Sequence, residues 1–244
     1  MAARLSVNVN KVATLRNARG GDVPSVIAAV RTIVAAGAPG ITVHPRADER
    51  HIRAADTRAI AAELAPLRDR VEFNIEGDPR PDLLAMVEEL RPHQCTLVPV
   101  RPGEITSQAG WPPDTSRAEL GAVVARLHSL GVRVSLFIEA DLAAVRWAAD
   151  VGAQRIELYT EPYARSFAAG NGEASLAQFA AAAELAHSLG LGVNAGHDLD
   201  LDNLPLFSRL SRLDEVSIGH ALISHALFVG LARAVADYLA VLAE

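Results

Sequence analysis

Eight short segments of this 244-residue chain run apolar and β-branched, and most of them stop at or next to a polar or ionisable residue: 5–9, 40–44, 71–76, 94–99, 133–139, 155–160, 192–197 and 215–220. Ala-rich stretches with helical spacing, such as 26–36 and 175–189, lie between them. Strands buried on both faces read as continuous hydrophobic runs, and their alternation with helices implies parallel strands joined by crossovers. Eight such units in a chain of this length predict a (β/α)8 barrel, a fold of about 250 residues whose reactive groups sit at the C-terminal ends of the strands. The stops Asn8, His44, Glu76, Glu157, His197 and His220 fall at those ends, so the pattern predicts an enzyme.

The connections support the barrel. Gly37, Gly131, Gly152 and Gly190 each stand between a helical stretch and a strand segment, where a left-handed residue closes a helix. His128 and His187 then fall on last helical turns at the face away from the site, where they complement the helix dipole. Residues 100–115 have no period, and a loop this long after a strand end is expected to be a lid. Residues 161–172 are expected to form a second irregular stretch.

Composition adds bounds. The chain is 50% hydrophobic with no Pro/Gly/Ser-rich linker, so residues 1–244 are expected to form one domain. A net charge of -6 argues against a general basic surface for nucleic acid, and any phosphate affinity must be local. The single cysteine, Cys95, excludes an intramolecular disulfide framework and sits in an apolar run, as a core thiol in a reducing compartment would. Only a few apolar residues lie between the charges Arg4 and Lys11, far short of a signal-peptide core, and no stretch approaches the roughly 18 that a membrane helix needs. A cytoplasmic protein without a membrane partner is expected.

The predicted rim carries two glutamates (Glu76, Glu157), three histidines (His44, His197, His220) and two arginines just beyond the first two strands (Arg19, Arg46). Histidine and a partly desolvated glutamate take and return protons near neutral pH, and arginine grips phosphate oxygens in bidentate fashion. The set predicts proton shuttling on a phosphorylated substrate. The Gly219-His220 turn enters the last helix, whose N-terminal amides suit an anion. Lys11 is the only lysine; it is expected to contact substrate, with strand alternation putting Asn8 and Asn10 on one face and Lys11 either opposite or beyond the strand end.

Several strings then carry a family resemblance: Arg-Asn-Ala-Arg-Gly at 16–20, Gly-Ile-Thr-Val-His at 40–44 followed by Pro-Arg, and Arg-His-Ile at 50–52. To these are added Phe-Asn-Ile-Glu at 73–76, Leu-Val-Pro at 97–99, Glu-Ile-Thr at 104–106, Val-Ser-Leu-Phe-Ile at 134–138, Val-Asn-Ala-Gly-His at 193–197 and Ile-Gly-His-Ala at 218–221. In this order, over nearly the whole chain, they resemble the pyridoxine 5'-phosphate synthase family of vitamin B6 biosynthesis. The resemblance implies a (β/α)8 barrel that assembles as a homo-octamer. It implies condensation of 1-deoxy-D-xylulose 5-phosphate with 3-amino-1-hydroxyacetone phosphate, releasing phosphate and water without metal or organic cofactor.

By matching motif, the resemblance implies His44, Glu76 and His197 as acid/base residues, and Asn8 and Glu157 as contacts to the amino ketone and its condensed products. Arg46, His51 and Thr106 would hold the deoxyxylulose phosphate. Arg19, Gly219, His220 and the amide of Asp198 would hold the other phosphate end. Many members of the family carry Asp-His where this chain has Asn10-Lys11, a departure at residues that, by the resemblance, touch the deoxyxylulose phosphate. Two other classes remain open on residues alone: a Schiff-base lyase of the aldolase type using Lys11, and a metal-dependent sugar-phosphate isomerase or epimerase liganded by His44, Glu76, Glu157 and His197.

Overall fold

The computed structural model describes residues 2–99 and 107–243. Its strands are β1 (Arg4–Asn8), β2 (Gly40–Val43), β3 (Glu72–Gly77), β4 (Gln94–Leu97), β5 (Arg133–Ile138), β6 (Arg155–Tyr159), β7 (Gly192–Gly196) and β8 (Glu215–Ile218). Each pairs in parallel with the next, and β1 pairs with β8, closing the expected barrel. The helices are α1 (Asn10–Asn17), α2 (Val26–Ala35), α3 (Ala54–Leu64), α4 (Pro81–Leu90), α5 (Arg117–Ser129), α6 (Leu142–Val151), α7 (Glu161–Ala168), α8 (Gly172–Ser188), α9 (Leu204–Phe207), α10 (His220–Val229) and α11 (Leu231–Ala243). Gly37, Gly131, Gly152 and Gly190 have φ of +99°, +78°, +89° and +80°, so each turn into a strand uses the left-handed freedom of glycine. Among the described residues no helix is long and apolar enough to cross a membrane.

The strands are buried on both faces but apolar on only one. Leu5, Val7, Ile41, Val43, Ile75, Leu97, Leu136, Ile156 and Val193 are fully buried in the apolar core shared with the helices. The alternate residues point into the barrel and are polar, where continuous hydrophobic runs were expected. Ser6 and Thr42 hydroxyls lie 2.7 Å apart, Asn74 donates to Thr42 at 3.3 Å, and Thr96 donates to Asn74 at 3.2 Å. Asn194 reaches across to Gln94 at 3.3 Å. Beneath them Glu72 meets Arg4 and Arg133, and Arg155 donates to Asn194 at 3.1 Å. Buried polar groups are tolerable when each finds a partner, and this barrel is filled by such a ladder instead of the usual layers of Val, Ile and Leu.

Residues 161–172, expected to be irregular, form α7 and the start of α8. Pro162 sits in the first turn of α7, where it removes no needed amide; Glu161 pairs with Arg165 at 3.2 Å, and buried Tyr163 donates to the Asn203 carbonyl at 2.8 Å. Asn10 also leaves the strand: β1 stops at Asn8, and Asn10 opens α1. Residues 100–106 of the expected lid, Thr106 included, lie outside the described residues. Its described remainder is docked: Trp111 donates to the Phe137 carbonyl through its backbone and to the Leu97 carbonyl through Nε1, both at 2.8 Å, and the Gly110 amide donates to Glu139 at 3.2 Å.

Candidate active site

A cavity of about 340 Å³ opens at the C-terminal ends of the strands. It is lined by Asn8, Asn10, Lys11, His44, Arg46, His51, Glu76, Glu157, His197, Asp198, Gly219 and His220, twelve of the fourteen residues expected from sequence. Thr106 lies outside the described residues. Arg19 is exposed beyond α1 and does not line the cavity. Its neighbours in the same string do structural work: Arg16 donates two hydrogen bonds to the Asp56 carboxylate at 2.6 and 2.8 Å, and Asn17 donates to the His51 carbonyl at 2.9 Å, so both fix the loop that carries His51.

The rim is built by short links between strand ends. The Asn8 side-chain oxygen accepts from the Asn10 amide at 3.0 Å, and that of Asn10 accepts from the His44 amide at 3.0 Å, tying the turn after β1 to the end of β2. Asn8 Nδ2 reaches Glu76 Oε2 at 3.4 Å, and His44 Nδ1 stands 3.8 Å from the same oxygen. Two glycines make room by lacking a side chain. A Cβ at Gly196 would lie 2.5 Å from Glu157 Oε1, and one at Gly219 would lie 3.1 Å from Asn8 Cβ. Lys11, in the first turn of α1, lies beyond the strand end as one of the two sequence readings had it.

Burial governs the charges. Burial pushes the Glu76 carboxyl well above the ordinary range, and the nearby Glu157 and Glu215 carboxylates push further. Burial likewise raises Glu157, opposed by Thr96 and His197. Burial pushes His44 down to about 3, with Arg46, His51, Arg80 and Arg50 adding to the effect. His51 falls to about 4 through burial and then Arg46 and Lys11; its Nδ1 accepts from the Ile52 amide at 2.9 Å. At neutral pH the cavity therefore holds two neutral imidazoles and two carboxyls inclined to keep a proton, beside the fixed cations Arg46 and Lys11. His44 Nε2 and Glu157 Oε2 are buried with no hydrogen-bond partner among the described residues, as groups awaiting a polar ligand would be.

Sequence reasoning missed several participants. Ser217, whose hydroxyl bonds the Glu76 carboxyl and works against its rise, was hidden inside a strand. Tyr159 packs edge-on against His197 with ring centres 5.2 Å apart, and Phe137 packs on Tyr159 at 5.3 Å, giving the site one apolar wall. Cys95 is fully buried, and burial pushes its thiol up to about 12, in keeping with a core thiol.

The pyridoxal phosphate biosynthesis protein PdxJ family model matches residues 5–244. The chain belongs to this family. Among its relatives, the pyridoxine 5'-phosphate synthase of Bacteroides thetaiotaomicron is 52% identical over 96% of this chain and 97% of the relative, and that of Porphyromonas gingivalis is 51% identical over the same shares. Among solved structures, phosphoribosyl anthranilate isomerase from Thermus thermophilus superposes with a TM-score of 0.58 at 18% identity, covering 98% of each chain. That likeness is one of fold alone.

Proposed function

We propose that this chain is a pyridoxine 5'-phosphate synthase that condenses 1-deoxy-D-xylulose 5-phosphate with 3-amino-1-hydroxyacetone phosphate, releasing inorganic phosphate and water. Full-length membership of the PdxJ family, with relatives of that name at about half identity, carries the reading. The cavity supports it chemically. Imine formation, enolisation and ring closure each need a proton taken from one atom and returned to another, which suits His44, Glu76 and His197 as the acid/base groups. Glu76, kept neutral by burial when the site is empty, gives up its proton more readily once a cationic amine or imine lies beside it, and the carboxylate is then available as a base. Asn8 and Glu157 would bind the amino ketone and its products. Arg46, His51, Asn10 and Lys11, with Thr106, would take the deoxyxylulose phosphate. Gly219, His220 and the Asp198 amide would take the other phosphate at the start of α10.

Arg19 is assigned to that second phosphate by the family resemblance, and its exposure leaves this assignment without support from the cavity of a single chain. We further propose a cytoplasmic homo-octamer. Leu227 and Phe228, 70% and 89% exposed at the end of α10, support self-association, since exposed apolar clusters of this kind mark interfaces. The test is direct: purified protein is mixed with both phosphorylated substrates and the fluorescence of pyridoxine 5'-phosphate is followed. Its appearance only with both substrates is expected; silence at saturating concentrations of each would overturn the reading.

A further inference from the structure

The geometry points to Asp198 as a positioning residue for His197, its carboxylate holding the imidazole by Nδ1 so that proton exchange with substrate runs through Nε2. The inference deepens the reading above and rests on it for the role of His197. Asp198 Oδ2 lies 2.7 Å from His197 Nδ1. Adjacent side chains point apart in a strand and do not meet on a helix. Here they meet because His197 and Asp198 adopt φ of +89° and +60°, two consecutive left-handed conformations without glycine. Backbone outliers of this kind persist where the surroundings over-determine them, and they cluster at functional sites. The surroundings are present: the Thr160 hydroxyl donates to the Gly196 carbonyl at 2.7 Å and also reaches the His197 carbonyl, while Tyr159 bears edge-on on the imidazole.

The consequence is a defined proton inventory. A neutral His197 held in this way carries its hydrogen on Nδ1 and a lone pair on Nε2; protonated, it presents an Nε2 hydrogen to a leaving oxygen while Asp198 offsets the cation. The titratable groups facing the pair come from three elements: Glu157 and Tyr159 from β6, Lys11 from α1 and His220 from α10. The His197 bond, with His220 and Lys11 adding, keeps the Asp198 carboxyl below its ordinary range and therefore charged at working pH.

Asp198→Asn tests this, because asparagine tolerates a positive φ, keeps the backbone amide and removes only the charge. Two readouts are compared with the wild type: the His197 ring titration followed by NMR in substrate-free protein, assigned by its disappearance in His197→Gln, and the pH profile of kcat under saturating substrates. Loss of a carboxylate beside an imidazolium is expected to lower the His197 titration by about one pH unit and to move the alkaline limb of kcat down with it. A fall in kcat of about 10-fold is expected alongside. An unshifted ring titration overturns the pairing. A shifted titration with an unmoved kcat limb overturns its part in the reaction. The NMR readout needs no turnover, so it decides the pairing even if the condensation itself is absent.

Discussion

Glu76 is a carboxyl whose burial and acidic neighbours favour its protonated form, so glutamine is close to an isosteric copy of its resting state. Glu76→Gln should therefore fold and melt as the wild type does while losing the ability to accept a proton. Removing a general base costs about 10²- to 10⁴-fold in rate, and turnover at the wild-type rate would remove Glu76 from the acid/base set. Lys11 presents a different case. In the proposed condensation the amino ketone brings its own amine, so the lysine is expected to act by charge and form no covalent bond. Lys11→Arg keeps the charge with altered geometry and should chiefly raise KM for deoxyxylulose phosphate, with Lys11→Ala raising it further. A Lys11 peptide that gained substrate mass after borohydride reduction would refute this and favour aldolase-type chemistry.

At the scale of elements, each strand end is held by the loop that follows it, and the segment after β4 is the most demanding. A Cβ on Gly110 would lie 2.3 Å from Ile138 Cα and 2.6 Å from its carbonyl carbon, backbone atoms that cannot yield. Gly110→Ala must then lift residues 107–111 off β5 and break the bond from Trp111 to Leu97, at a cost of about 1–3 kcal/mol. The chain has two tryptophans, and Trp147 is fully buried, so a red shift of emission reports Trp111; an unchanged spectrum would contradict the docking. The strands themselves were legible to within two residues, because outward apolar residues and turn glycines bracket them. The polar inner face was not, since Ser6, Thr42 and Asn74 are satisfied only by partners on neighbouring strands. Helix α7 was missed because eight residues with a single buried side chain give too short a period, although Glu161-Pro162 was a start signal. The twelve expected cavity residues are legible from motif and strand end; the contribution of the Asp198 carboxylate is not, because a positive φ at a residue other than glycine leaves no mark in sequence. The role of Asn10 as an acceptor for the His44 amide depends on two strands meeting.

Across the whole molecule, the barrel interior opposes two kinds of titrating group. His44 and His51 fold with values lowered from 6.5 to about 3 and about 4, so they contribute stability above pH 6.5 that is lost as pH falls towards those lowered values. Glu76, Glu157 and Glu215 fold with values raised above 4.5, so their contribution is complete below pH 4.5 and is lost as pH rises through the raised values. Glu215 isolates the second effect, because it is buried on β8 below the cavity: burial raises it first and the Glu72 charge next, against Arg155 and Arg133. In Glu215→Gln the amide keeps the shape and cannot ionise. The variant's melting temperature is therefore expected to fall less steeply than the wild type's as pH rises from about 5 to 9. The difference in unfolding free energy between the two should change by up to about 1.4 kcal/mol per pH unit while one proton is retained in the fold. Parallel melting curves across that range would mean that Glu215 ionises in the folded barrel as freely as in the unfolded chain, and that the arginines beneath the cavity neutralise it completely.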